Sequence, residues 1–394
     1  MDIFQKCFAF DRAMIAKKEG YYPYFSPISF NKHGRSIIGN REVIMIGSNN
    51  YLGLTDNLRV IAVAKDAIDV YGSSCSGSRF LNGNLDLHLE LEEKLAKFMN
   101  KEAALVFSTG YQTNLGTISA LVGRNDIVII DKDAHASIVD GCRLSFGDLK
   151  RYKHNDLDDL RRVMQSCEED KGKLVVTDGV FSMGGDLAPL PEIVKICKEY
   201  SARLMVDDAH SIGVMGKNGR GTAEHFDVEN DVDIIMCTFS KSFAGLGGFI
   251  VGSKQVVEYI QHVSRPLIFS ASMPPAVVAT VLKTLEIIIN EPERREKLWN
   301  ISNFMLDGFK SLGFNTGNSV TPIIPIEIGE DMDCFYFWHD LYKAGVFANA
   351  VISPAVQQGQ AMIRTSYMAT HEKSDMEKVL EIFADIGKKK GIIH

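Results

Sequence analysis

Asp233-Ile234-Ile235-Met236 runs straight into Cys237-Thr238-Phe239-Ser240-Lys241-Ser242-Phe243-Ala244-Gly245-Leu246-Gly247-Gly248. The short apolar run predicts a buried strand, and it empties into hydroxyls, one lysine and a flexible glycine turn. A single lysine in a loop is ordinarily a solvated charge. This one stands just past a strand end with no carboxylate beside it in sequence, a placement suited to chemistry. Outward from it, short apolar runs alternate with helical stretches over about 150 residues, which predicts a mostly parallel sheet clad by helices. The predicted strands are Ala103–Phe107, Ile127–Ile130, Leu174–Thr177, Leu204–Val206, Ile234–Cys237 and Phe249–Val251. Nearly all end in polar residues: Ser108-Thr109-Gly110-Tyr111, Asp131 with His135, Asp178 with Ser182, Asp207-Asp208-Ala209-His210, and Thr238 to Lys241. Parallel strands bring those ends to one rim, where open α/β sheets bind their ligands.

The remainder of the 394 residues supports two or three domains. Residues 1–45 read as an N-terminal arm, with a helix over Phe4–Lys18 and a hairpin pattern through Gly39-Asn40. Residues 46–275 read as the large α/β domain. Residues 276–394 read as a linking helix, from Pro275 to Asn290 and restarting after Pro292, and a smaller α+β C-terminal domain. Helices are expected over Leu58–Tyr71 and from Asp86, where Leu87, Leu91, Leu95 and Phe98 share one face. Between them, Gly72-Ser73-Ser74-Cys75-Ser76-Gly77-Ser78-Arg79 is a small-residue loop that a ligand can approach closely.

Charge and cysteine usage exclude several classes. The net charge is −7, and the one basic run, Lys388-Lys389-Lys390, reads as a helix terminus, so nucleic acid is not an expected partner. Seven cysteines without a C-x-x-C pair read as reduced thiols in a soluble, cytoplasmic protein. No apolar run approaches the roughly 20 residues that span a bilayer. His154, His225 and His262 are expected at the surface.

The chemistry follows by comparing what each candidate mechanism needs. Asp178, Asp207, Asp208 and His210 are metal-ligand types, but no H-x-H or H-E-x-x-H spacing accompanies them, and no metal site is expected. The G-x-S-x-G elbow, the G-x-x-x-x-G-K-[ST] loop and a G-x-G-x-x-G after an early strand are all missing. Pyridoxal 5'-phosphate (PLP) accounts for the whole set. Its aldehyde needs an amine, and Lys241 is placed to supply it. Its pyridine nitrogen needs a carboxylate, for which Asp207 is the candidate. Its phosphate needs helix N-terminal amides and hydroxyls, which Thr109-Gly110-Tyr111, Thr238 and Ser240 offer. His135 is suited to stack on the ring and His210 to bond the ring hydroxyl.

Five motifs in order carry a resemblance: Asn49-Asn50-Tyr51-Leu52-Gly53-Leu54, Gly77-Ser78-Arg79, Asp178-Gly179-Val180-Phe181-Ser182-Met183, Asp207-Asp208-Ala209-His210 and Thr238-Phe239-Ser240-Lys241. From about residue 40 to 385 the chain resembles the α-oxoamine synthase family, fold-type I PLP-dependent transferases that condense an amino acid with an acyl-CoA and lose carbon dioxide. Phe269-Ser270-Ala271-Ser272-Met273-Pro274-Pro275 and Arg364-Thr365-Ser366-Tyr367-Met368-Ala369-Thr370-His371 are most similar to the branch that joins L-serine to palmitoyl-CoA, giving 3-ketodihydrosphingosine for sphingolipid synthesis. The branches that make 2-amino-3-ketobutyrate or 8-amino-7-oxononanoate, and a PLP aminotransferase, are the alternatives.

The resemblance implies that Lys241 holds the cofactor aldehyde and later acts as base, and that His135 stacks on the ring and hydrogen-bonds the reacting carbonyl. It implies that Asp207 pairs the ring nitrogen, with His210 and Ser182 near the ring hydroxyl. Thr238, Ser240 and the Gly110 and Tyr111 amides would hold the phosphate, Ser272 would reach the phosphate of a neighbouring subunit, and Arg364 and Asn49 would hold the substrate carboxylate. A homodimer with shared active sites is implied, and the lipid product implies a peripheral membrane contact. A second arginine that some members carry before the position of Arg364 has no counterpart in Ala350–Pro354.

Overall fold

The computed structural model describes residues 2–394, which form two compact units: residues 49–298, and residues 2–48 together with 299–394. The first 27 residues hold two short helices, Gln5–Phe8 and Arg12–Glu19, where the sequence predicts one; the interruption falls at Phe10-Asp11. Strands β1 (Ile28–Lys32), β2 (Arg35–Ile38) and β3 (Arg41–Met45) follow as an antiparallel meander. Ile38, Val43 and Met45 bury one side of it.

The 49–298 unit is built on a seven-stranded sheet. Its strands are β4 (Ala103–Phe107), β5 (Asp126–Asp131), β6 (Asp148–Tyr152), β7 (Gly172–Asp178), β8 (Arg203–Asp207), β9 (Ile234–Thr238) and β10 (Gly248–Gly252), in the order β4-β10-β9-β8-β7-β5-β6. All neighbours pair in parallel except β10, which runs antiparallel to both β4 and β9. Because β10 reverses against both, β4 keeps the direction of β5 to β9. The ends of β4, β5, β7, β8 and β9 therefore share one rim. Val128 to Ile130, Val175-Val176 and Met205-Val206 are almost completely buried, as strands covered on both faces must be. Strand β6 is absent from the sequence reading because Asp148-Leu149-Lys150-Arg151-Tyr152 is too charged for a central strand; it survives at the sheet edge, with only Tyr152 buried. The helix Pro275–Asn290 packs on Leu58–Tyr71 and belongs to this unit, so the boundary lies at 298/299 and not at 275.

In the other unit, β11 (Ile323–Gly329), β12 (Val346–Phe347), β13 (Asn349–Val351) and β14 (Ala361–Ser366) complete the sheets. β12 adds in parallel to β3, which is why the N-terminal strands fold with the C-terminal segment instead of standing as a separate arm. β14 lies between β11 and β13. Phe309, Phe314, Phe337 and Phe383 form one aromatic cluster, mostly edge to face, with Phe309 and Phe383 centroids 5.0 Å apart.

Candidate active site

A cavity of about 270 Å³ opens at the shared rim of the 49–298 unit. Lys241, Asp207, His210, His135, Thr238, Ser240, Gly110 and Tyr111 line it together. Residues 110 to 241 in sequence meet there because each stands at or just past the end of a parallel strand.

One corner is a helix N-terminus. Thr109 caps the helix Gly110–Leu121, its hydroxyl accepting the Gln112 N–H at 3.0 Å. The N–H groups of Gly110 and Tyr111, in the first turn, lack intrahelical acceptors. Thr238 faces them from β9, bonded to Gly247 O at 3.0 Å and to Ser240 Oγ at 2.9 Å. A Cβ on Gly110 would lie 2.5 Å from Thr238 Oγ1, so glycine is what lets this helix end approach the strand. Amides, dipole and hydroxyls converge as a phosphate requires.

Lys241 rides on a loop anchored from below. Phe239 and Phe243 on either side of it are fully buried, with Phe239 stacked on Phe249 at 5.2 Å and edge-on to Phe243 at 5.4 Å. Phe239 N donates to Gly247 O and Gly245 N to Phe239 O, so the turn returns to its own strand. Ala244 and Gly247 take positive φ, 51° and 122°. Lys241 itself is half-buried at the cavity wall.

Asp207 lines the same cavity. Its Oδ1 accepts the Ala209 N–H at 3.0 Å and its Oδ2 the Asn114 side-chain amide at 2.7 Å. His210, three residues on, pairs its Nδ1 with Tyr51 Oη at 2.7 Å. His135 caps the helix Ala136–Leu144; its backbone N–H donates to Asp178 and its Nδ1 meets Ser137 Oγ at 2.7 Å. The His135 ring opens on the cavity, yet the protein around it excludes enough water to lower its basicity, with Lys241 adding to the effect and Asp207 opposing it. Asn114, Ser137 and Tyr51 thus join the site without having been singled out from the sequence. Their signals were present: Tyr51 sits inside a quoted motif, Asn114 is one helical turn past Gly110, and Ser137 is two residues past His135.

Other expected residues lie outside the cavity lining. Ser182 is in the loop closed by the Val180–Leu187 bridge, and Ser272 directs both its N–H and its hydroxyl to Gly77 O. Asn49 lies within reach of Tyr51 Oη at 3.5 Å. Arg364 belongs to the other unit, buried on β14 between Pro325 of β11 and Asn349 of β13. Arg79 grips Glu92 with two guanidinium nitrogens at 2.8 and 2.9 Å, a structural pair. Asp208 is buried under the hydroxyls of Ser211 and Thr222, and burial raises its carboxyl to about 6. His154 is not the surface residue expected. It bridges Asp131 at 3.1 Å and Asp186 at 2.9 Å, because the unrecognised β6 delivers it beside the end of β5.

The sequence matches the family model of aminotransferase class I and II over residues 41–383. It is 49% identical, over 95% of this chain and 94% of the relative, to a serine palmitoyltransferase of Sphingobacterium spiritivorum. The chain belongs to the α-oxoamine synthases. An 8-amino-7-oxononanoate synthase of Thermoanaerobacter pseudethanolicus is 42% identical over 96% of both chains. Among solved structures, a serine palmitoyltransferase of S. paucimobilis with a bound PLP-myriocin aldimine superposes with a TM-score of 0.96, at 35% identity and with both chains fully covered. This α-oxoamine synthase is a PLP-dependent acyltransferase with the fold-type I architecture. Its own residues fit the cofactor: the cradle that a Cβ on Gly110 would fill, the hydroxyl pair Thr238 and Ser240, and a doubly bonded carboxylate and an amine lining one cavity.

Proposed function

We propose that the protein condenses L-serine with a long-chain acyl-CoA, palmitoyl-CoA in the simplest case, to 3-ketodihydrosphingosine, CoA and carbon dioxide, the entry step of sphingolipid synthesis. The observation that carries this reading is the match to serine palmitoyltransferase at 49% identity along nearly the whole chain. PLP bound in the cavity supplies an aldehyde for an amino group and a ring that accepts charge from the substrate α-carbon. Lys241 anchors the cofactor and, once its amine is released, takes the α-proton from the substrate. Asp207, oriented by its two donors, would pair the ring nitrogen. The Gly110 and Tyr111 amides with Thr238 and Ser240 bind the phosphate.

His135 uses its Nδ1 as an acceptor, so its Nε2–H is available to the thioester oxygen as negative charge develops there. On the family pattern alone, Ser182 assists His210 at the ring hydroxyl, Arg364 and Asn49 bind the serine carboxylate, and Ser272 reaches the phosphate of a second copy in a homodimer. No helix among the described residues is long and apolar enough to cross a membrane, and the proposed lipid product leaves by peripheral contact.

Measuring CoA release over a grid of amino acids and acyl-CoAs tests the substrate. Serine with palmitoyl-CoA is expected to be fastest. The match to an 8-amino-7-oxononanoate synthase favours the second reading, and faster turnover of alanine with pimeloyl-CoA would replace the first with it.

A further inference from the structure

Asn114 is 1% exposed on the helix Gly110–Leu121 and spends both amide hydrogens inside the site. One goes to Asp207 Oδ2 at 2.7 Å and the other to Ser137 Oγ at 2.8 Å. Its own Oδ1 is buried without a partner, a cost that packing alone does not explain. Ser137 Oγ, accepting from Asn114, is left with its proton to give, and the atom facing it is His135 Nδ1 at 2.7 Å. The Ser137 backbone N–H points at the same nitrogen from 3.3 Å. The chain of donors therefore has one direction, from Asn114 through Ser137 to His135.

We propose that Asn114 is a positioning residue that couples Asp207 and His135 in the cofactor cavity: it fixes the orientation of the Asp207 side chain and, through Ser137, keeps the His135 proton on Nε2. A proton on Nδ1 would force the Ser137 hydroxyl hydrogen to turn away from the nitrogen that accepts it. The charged and titratable groups around His135 are Asp178 on β7, Asp207 on β8, Lys241 after β9 and Tyr111, whose ring lies 6.4 Å away. Ser137 meets Nδ1 with both its hydroxyl and its backbone N–H, so Ser137 is the group that sets the direction.

The coupling rests on the roles given above to Asp207 and His135, and two readouts separate them. The first is the titration of the His135 ring in PLP-free protein by NMR, its resonance assigned by loss in His135→Gln. Asn114→Leu and Ser137→Ala should each move the midpoint upward, Ser137→Ala because it removes the hydroxyl donated to Nδ1 and Asn114→Leu because it frees that hydroxyl to turn and accept from a protonated Nδ1. A midpoint that stays at the wild-type value in either variant overturns the coupling; if Asn114→Leu does not fold, Ser137→Ala alone decides. The second readout is PLP affinity. Asn114→Leu, which also strips a donor from Asp207, should raise the dissociation constant about tenfold, and Ser137→Ala, which leaves that donor in place, should raise it by less. A shifted His135 midpoint with unchanged PLP affinity in Asn114→Leu overturns the coupling to Asp207 and leaves only the link through Ser137 to His135.

Discussion

Asp178 stands beside Asp207 on one rung of the parallel ladder between β7 and β8, two buried carboxyl groups side by side at the floor of the cavity. Burial first, and the charge of Asp207 second, hold Asp178 protonated well above its ordinary value of 3.8. The folded protein keeps a proton there that the unfolded chain releases. That contribution to stability is complete below pH 4 and is lost as pH rises toward the folded-state value. Asp178→Asn, a permanent mimic of the neutral acid, should flatten this decline in PLP-free denaturation measured from pH 4 to 8, with PLP affinity changed less than about threefold. Asp207→Asn should weaken PLP by tenfold or more. Equal losses in the two variants would mean that the two carboxyls share one charge and that the assignment is wrong.

Arg79 belongs to a motif that carries the family resemblance, yet it makes a bidentate pair with Glu92, both side chains largely buried at 8% and 13% exposure. Glu92 also accepts the Val106 N–H at 2.8 Å and so ties the helix Asp86–Phe98 to β4. Arg79→Ala strands a buried carboxylate and should cost about 3–5 kcal/mol. Arg79→Lys should recover little of it, since one ammonium cannot span both oxygens. Urea denaturation checks the stability. Turnover per folded molecule should stay at the wild-type level, and a turnover loss without a stability loss would move Arg79 into the site.

His154 is held between Asp131 and Asp186, with Phe181 edge-on at 4.4 Å. Burial disfavours a proton on the ring, but the hydrogen bonds and charges of the two carboxylates outweigh it and raise His154 to about 10. Its contribution is complete below 6.5 and fades as pH passes through about 10. His154→Gln should therefore cost about 1–3 kcal/mol at pH 7 and little at pH above 10, read by urea denaturation at each pH. A deficit of the same size at both would show that the ring packs there without its charge.

The sheet and its rim were readable because central parallel strands are apolar on both faces and end in polar turns, a pattern that Val128 to Asp131 and Leu204 to Asp208 display without ambiguity. β6 escaped because an edge strand is solvated on one side and can afford Lys150 and Arg151. The site residues that stand in loops at strand ends could be named from motif order. Those that act from a helix face could not: Asn114 looks like any helical asparagine until the helix end is fixed against β9, which brings its amide to Asp207. The domain division escaped for a similar reason, since the pairing of β3 with β12 spans about 300 residues of sequence that no local pattern connects.

Gly110 is the residue on which the phosphate corner depends sterically. A Cβ there would come within 2.5 Å of Thr238 Oγ1 and 2.9 Å of Thr238 Cβ, and Thr238 is fixed by Gly247 O and Ser240. Gly110→Ala must therefore either lift the helix end off the strand or displace the threonine, and both remove donors from the phosphate. The clash is present with or without the cofactor, so the PLP-free protein should lose about 1–3 kcal/mol of stability. A further loss should fall on the cofactor, with the PLP dissociation constant raised about 10- to 100-fold. Thr238→Ala alone should weaken PLP by less. The double variant should lose less than the sum of the two, because the clash and the lost hydroxyl act through one atom. Additive losses, measured by PLP titration of the three variants, would place Gly110 and Thr238 in separate roles and undo the shared corner.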